Sequence, residues 1–244
     1  MGLMIETGGR AVDYNMVCNV PVPDATKTYQ PVPNEQLVEF LKDRVDSLFG
    51  FQPVEEQYAL ARKGKHMFGL LSYDVGHKDH NFALGFKNSY DMTMAIASAG
   101  GVLVDVCSNT CISGDSFVEV RRHTKNVWKT FTSNFDENLE KMYRDFQNMM
   151  GEFDTLREQE ISQLEGYELL GAMRGLKVLL PQQETAAFEA WDTPTHVEFE
   201  PRNLFSLYNA CTEGTKRNSP DRVFESLKGV HGFFRALTGE KVAA

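Results

Sequence analysis

The stretch that decides the fold is residues 81–124, NFALGFKNSYDMTMAIASAGGVLVDVCSNTCISGDSFVEVRRHT. Its apolar runs predict strands, among them Val102–Val106 and Ser116–Arg122, and its middle predicts one short helix, Tyr90 to Ser98, stopped by two glycines. Binding residues are disproportionately found where regular elements end, so we expect any site at the polar junctions. These junctions contain Asn88, Ser89 and Asp91, then Cys107 and Asn109, then Arg121, Arg122 and His123.

The residues before this stretch predict a helix followed by an antiparallel meander. The helix begins at Asn34, a candidate N-cap, and ends before Gly50, and it has apolar residues at helical spacing. Strands are expected at Tyr58–Ala61, Met67–Tyr73 and Phe82–Phe86. The glycine between two lysines after the first of these strands predicts a tight turn.

A heptad pattern after His123 marks a change to helical structure. Seven apolar residues are spaced alternately by four and three positions: Phe135, Leu139, Met142, Phe146, Met149, Phe153 and Leu156. The other positions are mostly acidic, with nine Asp/Glu and three Lys/Arg over residues 133–166. This pattern predicts either a helix packed in its own core or a contact with a second copy.

The remaining C-terminal sequence predicts shorter helices. Gly166 and Gly171 are expected to separate two pieces, and residues 181–203 to form a connector with one helical turn. Two further helices are expected, the first capped by Asn203. We therefore predict an α+β fold with an antiparallel sheet and packed helices in the N-terminal half and a helical C-terminal half.

The length of the chain allows one large domain or two small ones. A chain of 244 residues with 42% hydrophobic and 24% charged residues is typical of a globular protein. We expect a single domain over 1–244, with a β-rich core at about 29–124 and a helical part at about 125–244. No apolar run approaches the roughly 18 residues of a membrane span. The N-terminal MGLMIETGGR has no secretory or myristoylation signal.

The charge limits the range of functions. A net charge of −9 counts against a broad nucleic-acid-binding face, which needs clustered lysine and arginine, but not against a local basic patch. One such stretch contains Arg121, Arg122, His123, Lys125 and Lys129, with Trp128 among them. Cations that neutralise phosphates beside an aromatic stacking surface favour single-stranded nucleic acid. The alternative is a solvated strand end with Trp128 in the core.

The chain resembles a phage and plasmid family known as DUF932, a domain of unknown function, over most of residues 29–216. The likeness rests on three motifs: Asn88–Ser89–Tyr90–Asp91, Val104–Asp105–Val106–Cys107–Ser108–Asn109 and Arg122–His123–Thr124. Tyr90 stands where histidine is usual in the family, which weakens a catalytic interpretation of this position. The resemblance implies DNA transactions of a mobile element. Its core is also similar, at the level of fold alone, to single-strand-annealing proteins.

The motif residues have structural alternatives. Asn88, Ser89 and Asp91 can bind a ligand or cap the predicted helix, and capping suffices to explain their residue types. Cys107 and Asn109 belong to the second motif, and a cysteine at a strand end is more often buried than bound to zinc. No P-loop, GxGxxG or HExxH motif is present, so we predict no cofactor, no metal and no catalytic residue.

Three hypotheses follow from the sequence. The first is single-stranded nucleic-acid binding in recombination or annealing. The second is a protein-interaction or anti-defence module that binds a host protein through the acidic helix. An enzyme has the least support. We also expect a homo-oligomer through the helix around 133–165, no membrane partner, and a cytoplasmic location, in the host cell if a phage encodes the protein.

Overall fold

The computed structural model of the protein describes residues 9–77, 80–104, 109–111, 118–215 and 223–239. Seven strands in these residues form one antiparallel sheet, in which each of the first five pairs with the next. The last strand also pairs with the fifth, beside its first half. The strands are β1 (Arg10–Val12), β2 (Glu55–Ala61), β3 (His66–Tyr73), β4 (His80–Ser89), β5 (Ile96–Val104), β6 (Asn109–Cys111) and β7 (Val118–Arg121).

Eight α-helices accompany the sheet in the described part of the chain, and six of them follow β7. They are α1 (Tyr14–Cys18), α2 (Asn34–Phe49), α3 (Val127–Thr132), α4 (Phe135–Glu158), α5 (Gln163–Gly175), α6 (Pro181–Asp192), α7 (Leu204–Thr215) and α8 (Val223–Leu237). The prediction of an α+β fold with a helical C-terminal half is confirmed. The predicted meander is confirmed as β2, β3 and β4.

Helix α4 explains the heptad pattern. All seven heptad residues are at most 3% exposed, and they belong to the same buried cluster as the sheet residues Tyr73 and Phe82. The helix crosses β5 so closely that a Cβ atom on Gly100 would lie 2.5 Å from the Cβ of Met142. Phe153, further along α4, packs its ring against Tyr208 of α7. The heptad residues therefore belong to the protein's own core, and the homo-oligomer remains a prediction without their support.

The predicted helix from Tyr90 to Ser98 is wrong. Residues 90–95 form an irregular connection, and β5 begins at Ile96 and pairs with β4 on one side and β7 on the other. Two ladders of backbone hydrogen bonds outweigh the helix propensity of the methionines and alanines here. Asn88 and Ser89 therefore cap no helix. Residues 105–106 and 116–117, which complete two predicted strands, lie outside the described residues.

The C-terminal half is more continuous than predicted. Helix α5 includes both glycines that were expected to separate two pieces, and Gly166 gives room for the ring of Trp191, which an added Cβ would approach to 2.4 Å. The predicted connector contains α6, a helix of 12 residues with Pro181 in its first turn. The cap of α7 is confirmed, because Ser206 N donates to Asn203 Oδ1 at 2.9 Å.

Candidate nucleic-acid interface at one end of the sheet

One end of the sheet brings together four segments that are distant in sequence. They are residues 26–32 before α2, the β2–β3 turn at 61–66, the β4–β5 connection at 89–96, and residues 121–125 after β7. Tyr90 N donates to Lys65 O at 2.7 Å, Ile96 pairs with Arg121, and the rings of Tyr29 and His123 lie 5.8 Å apart. We call these four segments the basic pole.

The basic pole has a charge opposite to that of the chain. It contains seven lysines and arginines and a single carboxylate, that of Asp91. Six of the cationic residues are exposed: Lys27, Arg62, Lys63, Lys65, Arg122 and Lys125. The seventh, Arg121, ends β7, and its side chain is outside the described part of the structure. Cations concentrated on one surface of an acidic protein create a local positive potential that attracts anions.

The β2–β3 turn presents three of these cations on a strained backbone. Arg62 and Lys63 have φ angles of 49° and 59°, and Gly64 follows at 86°. The left-handed conformation costs a residue with a Cβ roughly 1–2 kcal/mol. The turn keeps β2 and β3 in register, with Ala61 opposite His66, and so holds the cations at the edge of the pole.

Asp91 organises the β4–β5 connection. Its carboxylate accepts hydrogen bonds from Thr93 N at 3.1 Å and from Thr93 Oγ1 at 2.6 Å. His66 Nε2, in β3, lies 3.0 Å from both carboxylate oxygens, and Arg62 Nη1 lies 3.8 Å away. Burial alone would raise the pKa of Asp91, but the bonds from Thr93 and His66 together hold that pKa below its usual value. The carboxylate thus stays ionised and fixes the connection.

The other residues of the first motif anchor the same connection. Asn88 is fully buried, and its Nδ2 donates to Val32 O and to Asn34 Oδ1, both at 2.8 Å. Ser89 Oγ donates to Met94 O at 2.8 Å and accepts from Met94 N at 3.2 Å, which closes the loop between residues 89 and 94. The Asn88 amide nitrogen and the Ser89 hydroxyl are therefore used within the protein, whereas Asn88 Oδ1 is buried without a hydrogen-bond partner among the described residues.

Tyr90 joins the connection to α2. Its hydroxyl accepts from the backbone N–H of Asn34 at 2.8 Å, at a point where both residues are buried. Burial raises the pKa of Tyr90, which keeps the hydroxyl protonated. Asn34 is the first residue of α2 and not its N-cap, and its side-chain Oδ1 accepts a hydrogen bond from Asn88 Nδ2. Asn88, Ser89, Tyr90 and Asp91 thus shape the pole, and the structure assigns them positioning roles.

A cavity of about 430 Å³ opens at the basic pole beside this connection. Its lining includes Tyr29, Arg122 and His123 together with the apolar side chains of Met92 and Met94. Tyr29 and His123 are 4% and 8% exposed, and each has one buried polar atom, Oη and Nε2 respectively, without a hydrogen-bond partner among the described residues. A buried polar group without a partner costs about 1–3 kcal/mol, so two at one cavity indicate a place for a ligand.

A second cavity, of about 590 Å³, is lined in part by the β2–β3 turn. Its walls are largely apolar, with Val12, Leu60 and Met16 among them, and Arg10, Arg62 and Lys63 contribute cations. Met16 is 40% exposed. The basic pole therefore contributes arginine to the lining of both cavities, Arg62 to this one and Arg122 to the other.

The residues predicted as a nucleic-acid site are brought together only in part. Arg122 and Lys125 lie at the pole and Lys129 is exposed on α3, whereas His123 is buried. Trp128 is half-buried, and its ring packs edge-on against Phe40 of α2 and beside Phe131, as the alternative interpretation expected. Their binding role stays a prediction.

Two residues of the second motif give less information. Asn109 begins β6, opposite Val104 at the far end of the sheet from the basic pole, and Cys107 lies outside the described residues. In the part of the chain that is described, no group of three His, Cys, Asp or Glu side chains is placed to hold a metal ion. Its helices also include none that is both long and apolar enough to cross a bilayer.

Sequence patterns did not predict His66, Tyr29 or the cations of the β2–β3 turn as site residues. The lysines beside Gly64 indicated a turn, but the sequence did not show that this turn lies at the same end of the sheet as Arg122. That arrangement depends on the pairing of β5 with both β4 and β7. His66 reaches Asp91 across 25 residues of sequence, through the pairing of β3 with β4.

Comparison with known proteins identifies the family. The family described as Domain of unknown function (DUF932) matches residues 24–237, which include every described strand and helix except β1 and α1. The chain therefore belongs to this family, and the resemblance noted from the motifs is confirmed. No curated protein and no solved structure matches the chain significantly.

Proposed function

We propose that this member of the DUF932 family binds single-stranded nucleic acid through the basic pole, in the recombination or annealing of mobile-element DNA. The observation that supports this proposal is the separation of charge. Removing the pole's seven cations and one carboxylate from the chain's 25 and 34 leaves 18 cations against 33 carboxylates. The acidic remainder repels a polyanion, and the pole attracts it.

The cavities favour a single strand over a duplex. Proteins that bind single strands combine cations that follow the phosphates with apolar surfaces that receive unstacked bases. The pole has this combination, because Arg62 and Lys63 contribute to one cavity and Arg122 to the other. The bases of a duplex are paired and stacked, and would have to leave the helix to enter a cavity.

A matched pair of double variants tests the proposal. Lys63→Glu/Lys125→Glu reverses two exposed charges at the basic pole, and Lys141→Glu/Lys177→Glu makes the same change in net charge at exposed positions of α4 and the α5–α6 loop. Binding of a fluorescently labelled single-stranded oligonucleotide is measured by anisotropy over a range of salt concentrations. Each phosphate contact contributes about 0.7 to the slope of log K against log salt for single strands.

We expect the pole variant to lower this slope by about 1.4 and to bind at least about ten-fold more weakly at low salt. The control variant should bind nearly as well as the wild-type protein. Equal losses in both variants would show that net charge alone matters, and no binding by the wild-type protein at low salt would refute the proposal.

The alternative of an acidic protein-interaction helix has less support from the geometry. Among the described residues, four carboxylates of α4 lie within 4.0 Å of a basic side chain of the same chain, and one of them, Glu140, is paired with Arg144 on the helix itself. Asp136 binds Arg44 of α2 at 2.5 Å, Asp154 binds Arg157 at 2.8 Å, and Glu152 faces α8, where it binds His231 Nε2 at 2.9 Å. Fewer carboxylates are therefore available to a partner protein than the nine Asp and Glu residues in 133–166 imply.

A further inference from the structure

We propose that the cavity beside Tyr29 and His123 binds the hydrogen-bonding edge of an unstacked nucleobase. The inference rests on the proposed function and adds which part of the strand enters the protein and which atoms receive it. The phosphates of the same strand would remain outside, on the exposed cations of the basic pole.

The cavity has the composition of a base site. Its volume is about 430 Å³, within the usual range for small-molecule sites of about 300–1,000 Å³. Met92, Met94 and Ala95 supply an apolar wall from the β4–β5 connection, and Arg122 is exposed at the opposite side. Met92 is held in a left-handed conformation, with a φ of 62°, and is 66% exposed. A flexible thioether is suited to contact the face of a flat ring.

Tyr29 contributes a hydrogen-bond donor. Its side chain is 4% exposed, and its hydroxyl has no partner among the described residues. Burial, and after it the negative charge of Asp91, raises the pKa of Tyr29, so the hydroxyl keeps its proton. A buried phenol with a free O–H is complementary to an acceptor such as a ring nitrogen or carbonyl of a base.

His123 contributes an acceptor. Its Nδ1 lies 3.4 Å from Gln30 O, and because a carbonyl oxygen can only accept, Nδ1 carries the proton. Burial lowers the pKa of His123, so the ring is neutral and Nε2 has a free lone pair. Nε2 has no partner among the described residues.

The pair of groups distinguishes a base from a phosphate. A phosphodiester has acceptors only and cannot donate to His123 Nε2, whereas its charge suits the exposed Arg122. The pairing edge of a nucleobase carries a donor beside an acceptor, as in the amino group and ring nitrogen of adenine or cytosine. The rings of Tyr29 and His123 are 5.8 Å apart, so both can serve one ligand.

The experiment compares two ligands and two variants. The ligands are a cytosine- or adenine-containing single strand and an abasic strand of equal length and charge. Tyr29→Phe removes only the hydroxyl, and Tyr73→Phe is the control, because Tyr73 is also buried with an unpartnered hydroxyl but lies at the opposite end of β3. Removing an unpartnered oxygen should preserve the fold of both variants.

We expect the wild-type protein to bind the base-containing strand more tightly than the abasic strand. Tyr29→Phe should reduce this preference about five-fold, the effect of one neutral hydrogen bond, and Tyr73→Phe should leave it unchanged. The nitrogen NMR resonance of His123 Nε2 in the wild-type protein should shift when the base-containing strand is added and stay in place with the abasic strand.

The outcomes separate this inference from the proposed function. Equal binding of both strands by the wild-type protein would overturn the base site while leaving phosphate binding at the pole intact. An unchanged preference in Tyr29→Phe would also overturn it, as would a His123 Nε2 resonance that does not respond to bases. If neither strand binds, the proposed function fails as well.

Discussion

Replacing Asp91 with alanine measures how far the basic pole depends on one carboxylate. The variant removes the acceptor for Thr93 N and Thr93 Oγ1 and one of two partners of the buried His66 Nε2, which also lies 2.7 Å from Thr93 Oγ1. A hydrogen bond to a charged group contributes about 1.5–3 kcal/mol. Thr93 is exposed, so water replaces its two bonds in part. We expect the free energy of unfolding to fall by about 2–3 kcal/mol.

Urea unfolding of the wild-type protein, Asp91→Ala and a control variant gives this difference. The control is Asp74→Ala, at the opposite end of the sheet. Asp74 Oδ1 accepts from Gly76 N at 2.8 Å in an exposed turn, so it makes a similar local bond without a buried partner. Its loss should cost less than about 1 kcal/mol. If both variants lose the same amount, the bond from His66 does not stabilise the connection.

The pH dependence provides an independent check. Burial opposes ionisation of Asp91, but the bonds from Thr93 and His66 outweigh it, so its pKa is lower in the folded protein than in the unfolded chain. Its contribution is therefore complete above the unfolded pKa of about 4 and is lost as the pH falls through the folded pKa. The stability difference between the wild-type protein and Asp91→Ala should shrink on acidification below about pH 4. A difference that stays constant or grows would refute the assignment.

Two further predictions concern the framework around the pole. Gly100→Ala places a Cβ 2.5 Å from that of Met142 and should destabilise the protein by about 1–3 kcal/mol, whereas Gly151→Ala, with nothing within 4 Å, should stabilise α4 by about 0.5–1 kcal/mol; thermal unfolding of both variants would show the opposite signs. Tyr90→Phe removes the acceptor for the buried N–H of Asn34 and should cost about 1–3 kcal/mol in urea unfolding, and an unchanged midpoint would mean that this N–H finds another partner.

The sequence predicted the elements whose pattern is local and strong. The heptad positions of α4 repeat over 22 residues, and every one of them is buried. The left-handed Gly50 after α2 and the cap of α7 at Asn203 depend on neighbouring residues only, and both are confirmed. Local rules succeeded here because the same residues that carry the signal also make the contact.

The β4–β5 connection could not be predicted in this way. Methionine and alanine after a polar junction favour a helix, and the strand that replaces it depends on pairing with β4 and β7. Asp91 looked like a residue of a helix's first turn, but its partner is His66, on another strand. The strand β5 and the contact of Asp91 with His66 both depend on residues that are distant in sequence, and a local sequence pattern cannot predict them.

The cations of the basic pole also include some that are neighbours in sequence and others that meet only in the folded protein. Arg121, Arg122 and Lys125 form a visible cluster in sequence, but the turn at 62–65 joins it through the sheet, and the segment of Lys27 joins it through the contact of Tyr29 with His123. A net charge of −9 then gives little guidance, because what a polyanion meets is the local field and not the sum.

The four residues of the first motif have structural roles that do not require contact with a ligand. Asn88, Ser89, Tyr90 and Asp91 direct their polar groups to α2, to the loop they close and to His66. A ligand that used these groups would have to break bonds that hold the pole together. The motif is therefore better suited to position the cavity of Tyr29 and His123, whose unpartnered atoms can bind a ligand without such a loss. Substitutions in the motif should consequently lower stability and binding together, whereas Tyr29→Phe should affect binding alone.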